Sequence, residues 1–398
     1  MSIHGNVPSC STTLSDQAMR IALIRQRFRF DGGGERIVSA MLDVLASQGR
    51  DVSLIARDWQ SSSARMIPCN PGYWTRIQRE ARFASKAMEI AREQEFDLVQ
   101  SHERIPGCQV YRAGDGVHRC WLQARSASYP VWKTRLLVGS RYHQYVLRTE
   151  RAMFEHPHLK TVICNSRMVA RQIRANFRIA PEKIRVIYNG VDTRKYSPRN
   201  RSAGAVQREQ LGISSKVPLA IFVGSGWERK GLSTTLRALT EVDGMELLVV
   251  GRDKAQHAFE KLAASLGIRQ RVHFAGVCSE MALLYAAADL FVLPTLYDPF
   301  PNACMEAFAS GLPVITTAQC GAAELIQPGI QGNVVEAGNV SQLTAALRIV
   351  NSRDRCEQMG QAATQVVQNM THENMQRELA SLYQDLLPAT PLQWKAAG

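Results

Sequence analysis

The chain has 398 residues, 45% of them hydrophobic and 21% charged, a balance that excludes the disordered and fibrous classes. Lys and Arg number 48 against 35 Asp and Glu, a formal charge of +13. The excess is lopsided: residues 1–200 carry 32 basic and 17 acidic side chains (+15), residues 201–398 carry 16 and 18 (−2). No apolar run reaches the length of about 18 residues that a membrane-spanning helix needs, and the nearest, Leu283–Leu293, is interrupted by Asp289.

Residues 1–18 are Ser/Thr-rich, without the basic start and apolar core of a secretory signal, and read as a disordered extension. From residue 19, short apolar runs alternate with helical patterns, which predicts a parallel α/β sheet. Arg20–Arg25 reads as a strand and Asp31-Gly32-Gly33-Gly34 as a loop. A helix over Glu35–Ser47 follows, with Ile37, Met41, Leu42 and Leu45 on one face. Further strands are expected at Asp51–Ala56, Asp97–Ser101, Lys160–Cys164 and Lys183–Tyr188. The stretch 197–206 has the composition of a linker. A second series of strands then runs through Pro218–Val223, Met245–Val250, Arg271–Ala275, Leu290–Leu293, Pro313–Thr316 and Asn333–Glu336. The last segment, 372–387, is amphipathic with Leu379, Leu382, Tyr383 and Leu386. The organisation expected is an N-terminal Rossmann-like domain over 19–196, a linker over 197–206, a second Rossmann-like domain over 207–370 and a C-terminal helical segment over 371–398.

Nine scattered cysteines, with no C-x-x-C pair and none near a His at zinc-ligand spacing, suit reduced thiols in a cytoplasmic protein better than a disulfide framework. In open parallel sheets, ligands bind where strands end and helices begin. Three such loops stand out. In the first, Gly32, Gly33 and Gly34 allow close backbone approach to an anion, or form a merely flexible turn. The second, from Val223-Gly224 to Arg229-Lys230-Gly231, suits a diphosphate held by two cations and a helix N-terminus. It fits neither the P-loop nor the dinucleotide spacing, although Asp253 stands near a ribose-reading position and keeps an NAD-dependent oxidoreductase open as an alternative. The third holds Asp298 and Glu306 eight residues apart, around a helix whose first-turn amides, at Asn302, Ala303 and Cys304, would point into a cleft. Carboxylates there suit sugar diols, and a Glu amid Met305, Ala307 and Phe308 would be costly to bury unpartnered.

These residues resemble family 4 of the retaining glycosyltransferases. The hallmark is E-x7-E followed by G-[LV]-P-[VI], present here as Asp298-x7-Glu306 and Gly311-Leu312-Pro313-Val314. Asn189-Gly190-Val191-Asp192, Arg229-Lys230-Gly231, Ala286-Ala287-Ala288-Asp289-Leu290 and the N-terminal glycine loop, with Gly33 and Gly34, agree as well. The resemblance spans about residues 20–385 and implies the GT-B fold: two Rossmann-like domains facing across a cleft, with the C-terminal helix returning to the first. It further implies that Arg229 and Lys230 bind the donor diphosphate, that Glu306 holds the donor ribose, that Asp298 contacts the donor sugar and that His102 lies near the transferred sugar. The first acid is usually Glu, so Asp298 is a departure. The family's chemistry is front-face attack with retention. No D-x-D occurs, which fits catalysis without a metal or other cofactor.

Residues 104–185 hold 16 Lys/Arg and 4 Asp/Glu, interleaved with aromatics. Arg-rich composition does not explain the asymmetry between halves, and no nucleic-acid recognition motif accompanies it. Contact with an anionic membrane surface does, because each nearby cation contributes about 1 kcal/mol. Arg119, Trp121, Arg125, Trp132, Lys133 and Arg135 are therefore expected on the acceptor or membrane side. Within the family, the run from Ser140 to Glu155 is similar to the lipopolysaccharide core glucosyltransferases. That resemblance implies UDP-glucose as nucleotide-sugar donor, a lipid-linked glycan acceptor bearing heptose, and a peripheral location at the inner face of the inner membrane.

Overall fold

The alternating apolar runs fold into two parallel sheets. The computed structural model describes residues 19–28, 33–59, 64–127 and 129–386; the expected extension 1–18 and the start of the glycine loop, Asp31 and Gly32, lie outside them. The first half begins β1 (Arg20–Ile24), β2 (Arg27–Phe28), α1 (Gly33–Ser47), β3 (Asp51–Ala56), β4 (Asp58–Trp59), β5 (Arg65–Pro68) and α2 (Arg76–Glu93). It continues with β6 (Leu98–Ser101), β7 (Val110–Ala113), α3 (His118–Ser126), α4 (Val131–Gly139), α5 (Arg141–Phe154), β8 (Thr161–Cys164), α6 (Arg167–Asn176) and β9 (Ile184–Val186). Seven of these strands form one sheet in the order β5-β3-β1-β6-β7-β8-β9, and all its pairings are parallel. Ile21, Ala22, Leu23 and Ile24 are fully buried, as a strand covered on both faces requires.

The second half begins with α7 (Arg201–Gln210), β10 (Leu219–Val223), α8 (Trp227–Lys230), α9 (Leu232–Leu239), β11 (Glu246–Val250), α10 (Gln256–Ser265) and β12 (Val272–Gly276). Then come α11 (Met281–Ala287), β13 (Leu290–Leu293), α12 (Asn302–Ala309), β14 (Val314–Thr317), β15 (Gly332–Val335), α13 (Val340–Ile349), α14 (Arg353–Val366) and α15 (His372–Leu386). Its six strands, again all parallel, are ordered β12-β11-β10-β13-β14-β15.

The expected linker is not one. Residues 201–210 form helix α7, which packs on α11 and belongs to the second domain. Its buried Arg208 donates to Asp289 at 2.7 Å, and Arg353 reaches the same carboxylate at 3.0 Å. A charged, glycine-containing stretch reads as a linker because what holds it, a buried ion pair, is a long-range contact invisible to local composition.

Helix α15 does cross back: Met375, Leu379, Leu382 and Tyr383 share a core with β1, β3 and α1. The two crossings of the chain run side by side. Val191 donates its N–H to the Met370 carbonyl at 2.9 Å and bridges Thr371, while a Cβ on Gly190 would stand 2.6 Å from the His372 Cα. Elsewhere the domains are latched by Glu324, whose two carboxylate oxygens accept the amides of Arg167 and Met168, each at 2.9 Å, at the N-terminus of α6. The Tyr188 hydroxyl donates to the same carboxylate at 2.7 Å.

Candidate active site

The carboxyl ends of both sheets converge on a cavity of about 420 Å³. The first domain lines it with residues that follow β1, β6, β7, β8 and β9, the second with those that follow β10 and β13.

At the second domain's edge, Arg229 and Lys230 are held by one carboxylate. Lys230 Nζ donates to Asp298 Oδ2 at 3.1 Å and Arg229 Nη1 to the same oxygen at 3.3 Å, with a further bond from Arg229 to the Tyr297 carbonyl at 2.9 Å. Burial alone would raise the Asp298 pKa, but Lys230 and Arg229 overcome it and hold the carboxyl below its ordinary value. The loop reaches this shape through two glycines. Gly231 has φ +85° and a Cβ there would stand 2.1 Å from the Pro294 carbonyl oxygen; Gly224 has φ +138° and a Cβ there would meet the Lys230 stem at 2.5 Å. The N-terminus of the intervening helix does not face the cavity as expected. The Trp227 amide donates to Asp253 Oδ2 at 2.7 Å, and Asp253 Oδ1 accepts from Ala255. Asp253, the residue that kept a dinucleotide reading open, thus accepts with one oxygen from the N-terminus of α8 and with the other from its own loop.

Helix α12 enters the cavity end-on, with Asn302 and Ala303 in its first turn among the lining residues. The positive end of its dipole favours an anion there. Cys304, expected beside them, does not reach the cavity: its amide donates to the Pro301 carbonyl at 3.1 Å, and its thiol is buried beside Cys320, where burial pushes its pKa up. Glu306 lies one turn further in, buried, its carboxylate accepting from the Tyr285 hydroxyl at 3.0 Å.

On the opposite wall, His102 follows β6 and is buried. Burial, then Arg25 and Arg112, hold its pKa well below the usual histidine range, so the ring is neutral at pH 7. Its Nε2 lies 3.5 Å from the Gln100 amide nitrogen, and Gln100 accepts at 2.8 Å from the Tyr383 hydroxyl of α15. The returning helix thereby touches the residue that touches the histidine. Gly33 and Gly34 open helix α1, whose Ile37 lines the cavity.

Five polar lining residues were not singled out as site residues from the sequence: Arg25, Arg112, Asp115, Asn165 and Asn189. Arg112 lies near the end of the short strand β7 and Asp115 just beyond it, and an arginine among apolar residues hides that strand from pattern reading. The signal available was that arginine itself, at the carboxyl end of a strand.

The six residues expected on the acceptor or membrane side separate into two groups. Trp121 and Arg125 of α3 line a second interdomain cavity, of about 680 Å³, together with Tyr129, Phe259 and Leu262. Arg229 borders both cavities. Arg125 lies over the Trp121 ring at 5.3 Å, and Lys133 over Tyr129 at 4.1 Å. Arg119, Trp132, Lys133 and Arg135 are exposed instead. On α4, Val131, Trp132 and Leu136 are 69%, 65% and 68% exposed, an apolar face without cover from the described residues.

Residues 205–366 match the family model of glycosyl transferases group 1, and residues 31–195 match that of Glycosyltransferase Family 4. The lipopolysaccharide glucosyltransferase WaaG of Escherichia coli (strain K12) is 30% identical over 328 residues, covering 80% of this chain and 85% of that protein. The chain belongs to glycosyltransferase family 4. The transferase has the GT-B fold: the crystal structure of WaaG, a glycosyltransferase involved in lipopolysaccharide biosynthesis, superposes with a TM-score of 0.78 at 25% identity, covering 91% of this chain and 99% of that one. The lipopolysaccharide core biosynthesis glycosyltransferase LpsE of Rhizobium meliloti (strain 1021) is 24% identical over 80% of this transferase and 86% of its own length.

Proposed function

We propose that this transferase moves glucose from UDP-glucose, with retention of configuration, onto a heptose of the lipopolysaccharide inner core at the cytoplasmic face of the inner membrane. The observation that carries the donor half is the cation pair Arg229 and Lys230, fixed on Asp298 and facing the first turn of α12. A diphosphate set there meets two cations and a helix N-terminus, which stabilise it as a leaving group without a metal. Glu306 would hold the ribose and Asp298 would keep its second oxygen toward the sugar. The acceptor hydroxyl attacks the anomeric carbon on the face from which the diphosphate leaves, and a leaving-group oxygen takes the acceptor proton. His102, neutral, can accept or donate one hydrogen bond to the transferred sugar without adding charge beside Arg25 and Arg112.

The acceptor half rests on the similarity to WaaG and LpsE and on the surface of α3 and α4, where exposed Trp132, Val131 and Leu136 stand among Arg119, Lys133 and Arg135. Aromatic and cationic side chains in one patch suit an anionic headgroup layer. Incubation of the purified protein with UDP-, GDP- and ADP-sugars and core oligosaccharides of stepwise-truncated lipopolysaccharide tests both halves. Transfer of α-linked glucose from UDP-glucose to a heptose-terminated core is the expected result. Transfer confined to another donor or another acceptor refutes the corresponding half.

A further inference from the structure

The first domain's wall of the active cavity holds two buried polar atoms that nothing among the described residues satisfies. Arg112 is 4% exposed, and its Nη2 donates to Asn189 Oδ1 at 2.6 Å, but its Nη1 has no hydrogen-bond partner. Asn165 is equally buried; its Nδ2 donates to the Gly114 carbonyl at 3.3 Å, while its Oδ1 accepts nothing. The two are neighbours by register, since β7 and β8 pair Ala113 with Cys164, and both line the cavity. Buried polar groups without partners are rare and costly, and a buried charge without a counter-ion more so.

Among the described residues, Arg112 has no counter-ion of its own. The titratable groups that act on it are Tyr383 and Cys164, and burial keeps both of these neutral. Burial lowers the Arg112 pKa to about 10, which leaves the guanidinium charged at pH 7. The acids that line the same cavity are turned to other cations: Asp298 to Lys230 and Arg229, Asp115 to Arg104 at 3.8 Å. A fixed cation donor and, beside it, a fixed acceptor are complementary to an oxyanion that carries a hydroxyl nearby. We propose that Arg112 Nη1 and Asn165 Oδ1 form a subsite for a phosphorylated sugar on the acceptor side of the cleft, Arg112 taking a phosphoryl oxygen and Asn165 a sugar hydroxyl. The proposal deepens the reading of the reaction given above and rests on it for the word acceptor alone.

Calorimetric titration of the full-length protein, saturated with UDP, by inorganic phosphate and by glucose 6-phosphate tests the subsite. The wild type is expected to bind both. Arg112→Gln should weaken both at least tenfold and Arg112→Lys less, while Asn165→Ala weakens glucose 6-phosphate and spares inorganic phosphate. UDP affinity should be unchanged in all three. If Arg112→Gln and Arg112→Lys instead weaken UDP itself, the phosphoryl group belongs to the donor and the acceptor assignment is overturned. If Arg112→Gln and Arg112→Lys both melt within a few degrees of the wild type and bind every probe as it does, the subsite is overturned altogether. Should Arg112→Gln not fold, Arg112→Lys and Asn165→Ala decide by the same readouts. Arg112-dependent phosphate binding by a wild type that ignores UDP would refute the UDP-glucose reading and leave the subsite standing.

Discussion

Lys230 and Arg229 are held at the cavity by Asp298, which accepts from both on one oxygen, and a carboxylate one methylene shorter than the usual Glu reaches them where the Gly224 and Gly231 turns bring the cations close. Lys230→Met should therefore lower kcat by about a hundredfold or more, the scale of losing one preorganised charge donor, with the thermal melting temperature little changed. Steady-state kinetics with calorimetry on the same preparation checks both parts. The histidines make a separate prediction. His102 and His118 are both held neutral by burial first and by neighbouring arginines second, His118 with a pKa of about 3. In the unfolded chain they titrate at the ordinary value of about 6.5. Between that value and their depressed folded values the unfolded state binds more protons, so stability is full above about pH 6.5 and falls as pH drops below it. Urea unfolding at pH 7.5 and 5.5 should show the loss, and His118→Gln should reduce it; an unchanged difference would refute the assignment for His118.

Helix α7 shows what sequence patterns reach and what they miss. Strands β1, β3, β6, β8 and all six of the second sheet announce themselves as apolar runs, because a parallel strand is covered on both faces. The second-domain loops at the cavity were legible for a related reason: glycines and paired cations at strand ends have few structural uses. Helix α7 was not legible, since its anchor is Arg208 reaching Asp289, 81 residues away. Nor was the spent capacity of Asp253 and Cys304, which depends on which backbone groups fold against them. Asp289→Ala should cost about 3–5 kcal/mol, because it leaves Arg208 buried without its carboxylate; chemical denaturation measures it. Helix α15 offers the complementary test. Tyr383→Phe deletes the hydroxyl that fixes Gln100 behind His102. It should lower kcat about three- to tenfold with KM unchanged, whereas a purely structural contact would change only the melting temperature.

Across the whole molecule, the +15 of the first 200 residues and the −2 of the remainder map onto two jobs. The second domain keeps two cations at the cavity, and most of the surplus stands on the first domain's helices. Reversing the exposed Arg119, Lys133 and Arg135 to Glu together should abolish sedimentation with anionic vesicles, and wild-type binding should weaken as salt rises, because the Debye length shrinks to about 8 Å at physiological ionic strength. Undiminished vesicle binding by the threefold variant would refute the proposed docking surface. The paired crossings at Val191 and Thr371 bear on movement at this same scale. One covalent strand between two bodies is a swivel, free to turn about any axis. Two strands bonded side by side, packed at Gly190 so tightly that no side chain fits, make a pin. Any opening would thereby be restricted to rotation about one line, and closure would return Arg229 and Lys230 to the same place opposite His102 and Arg112.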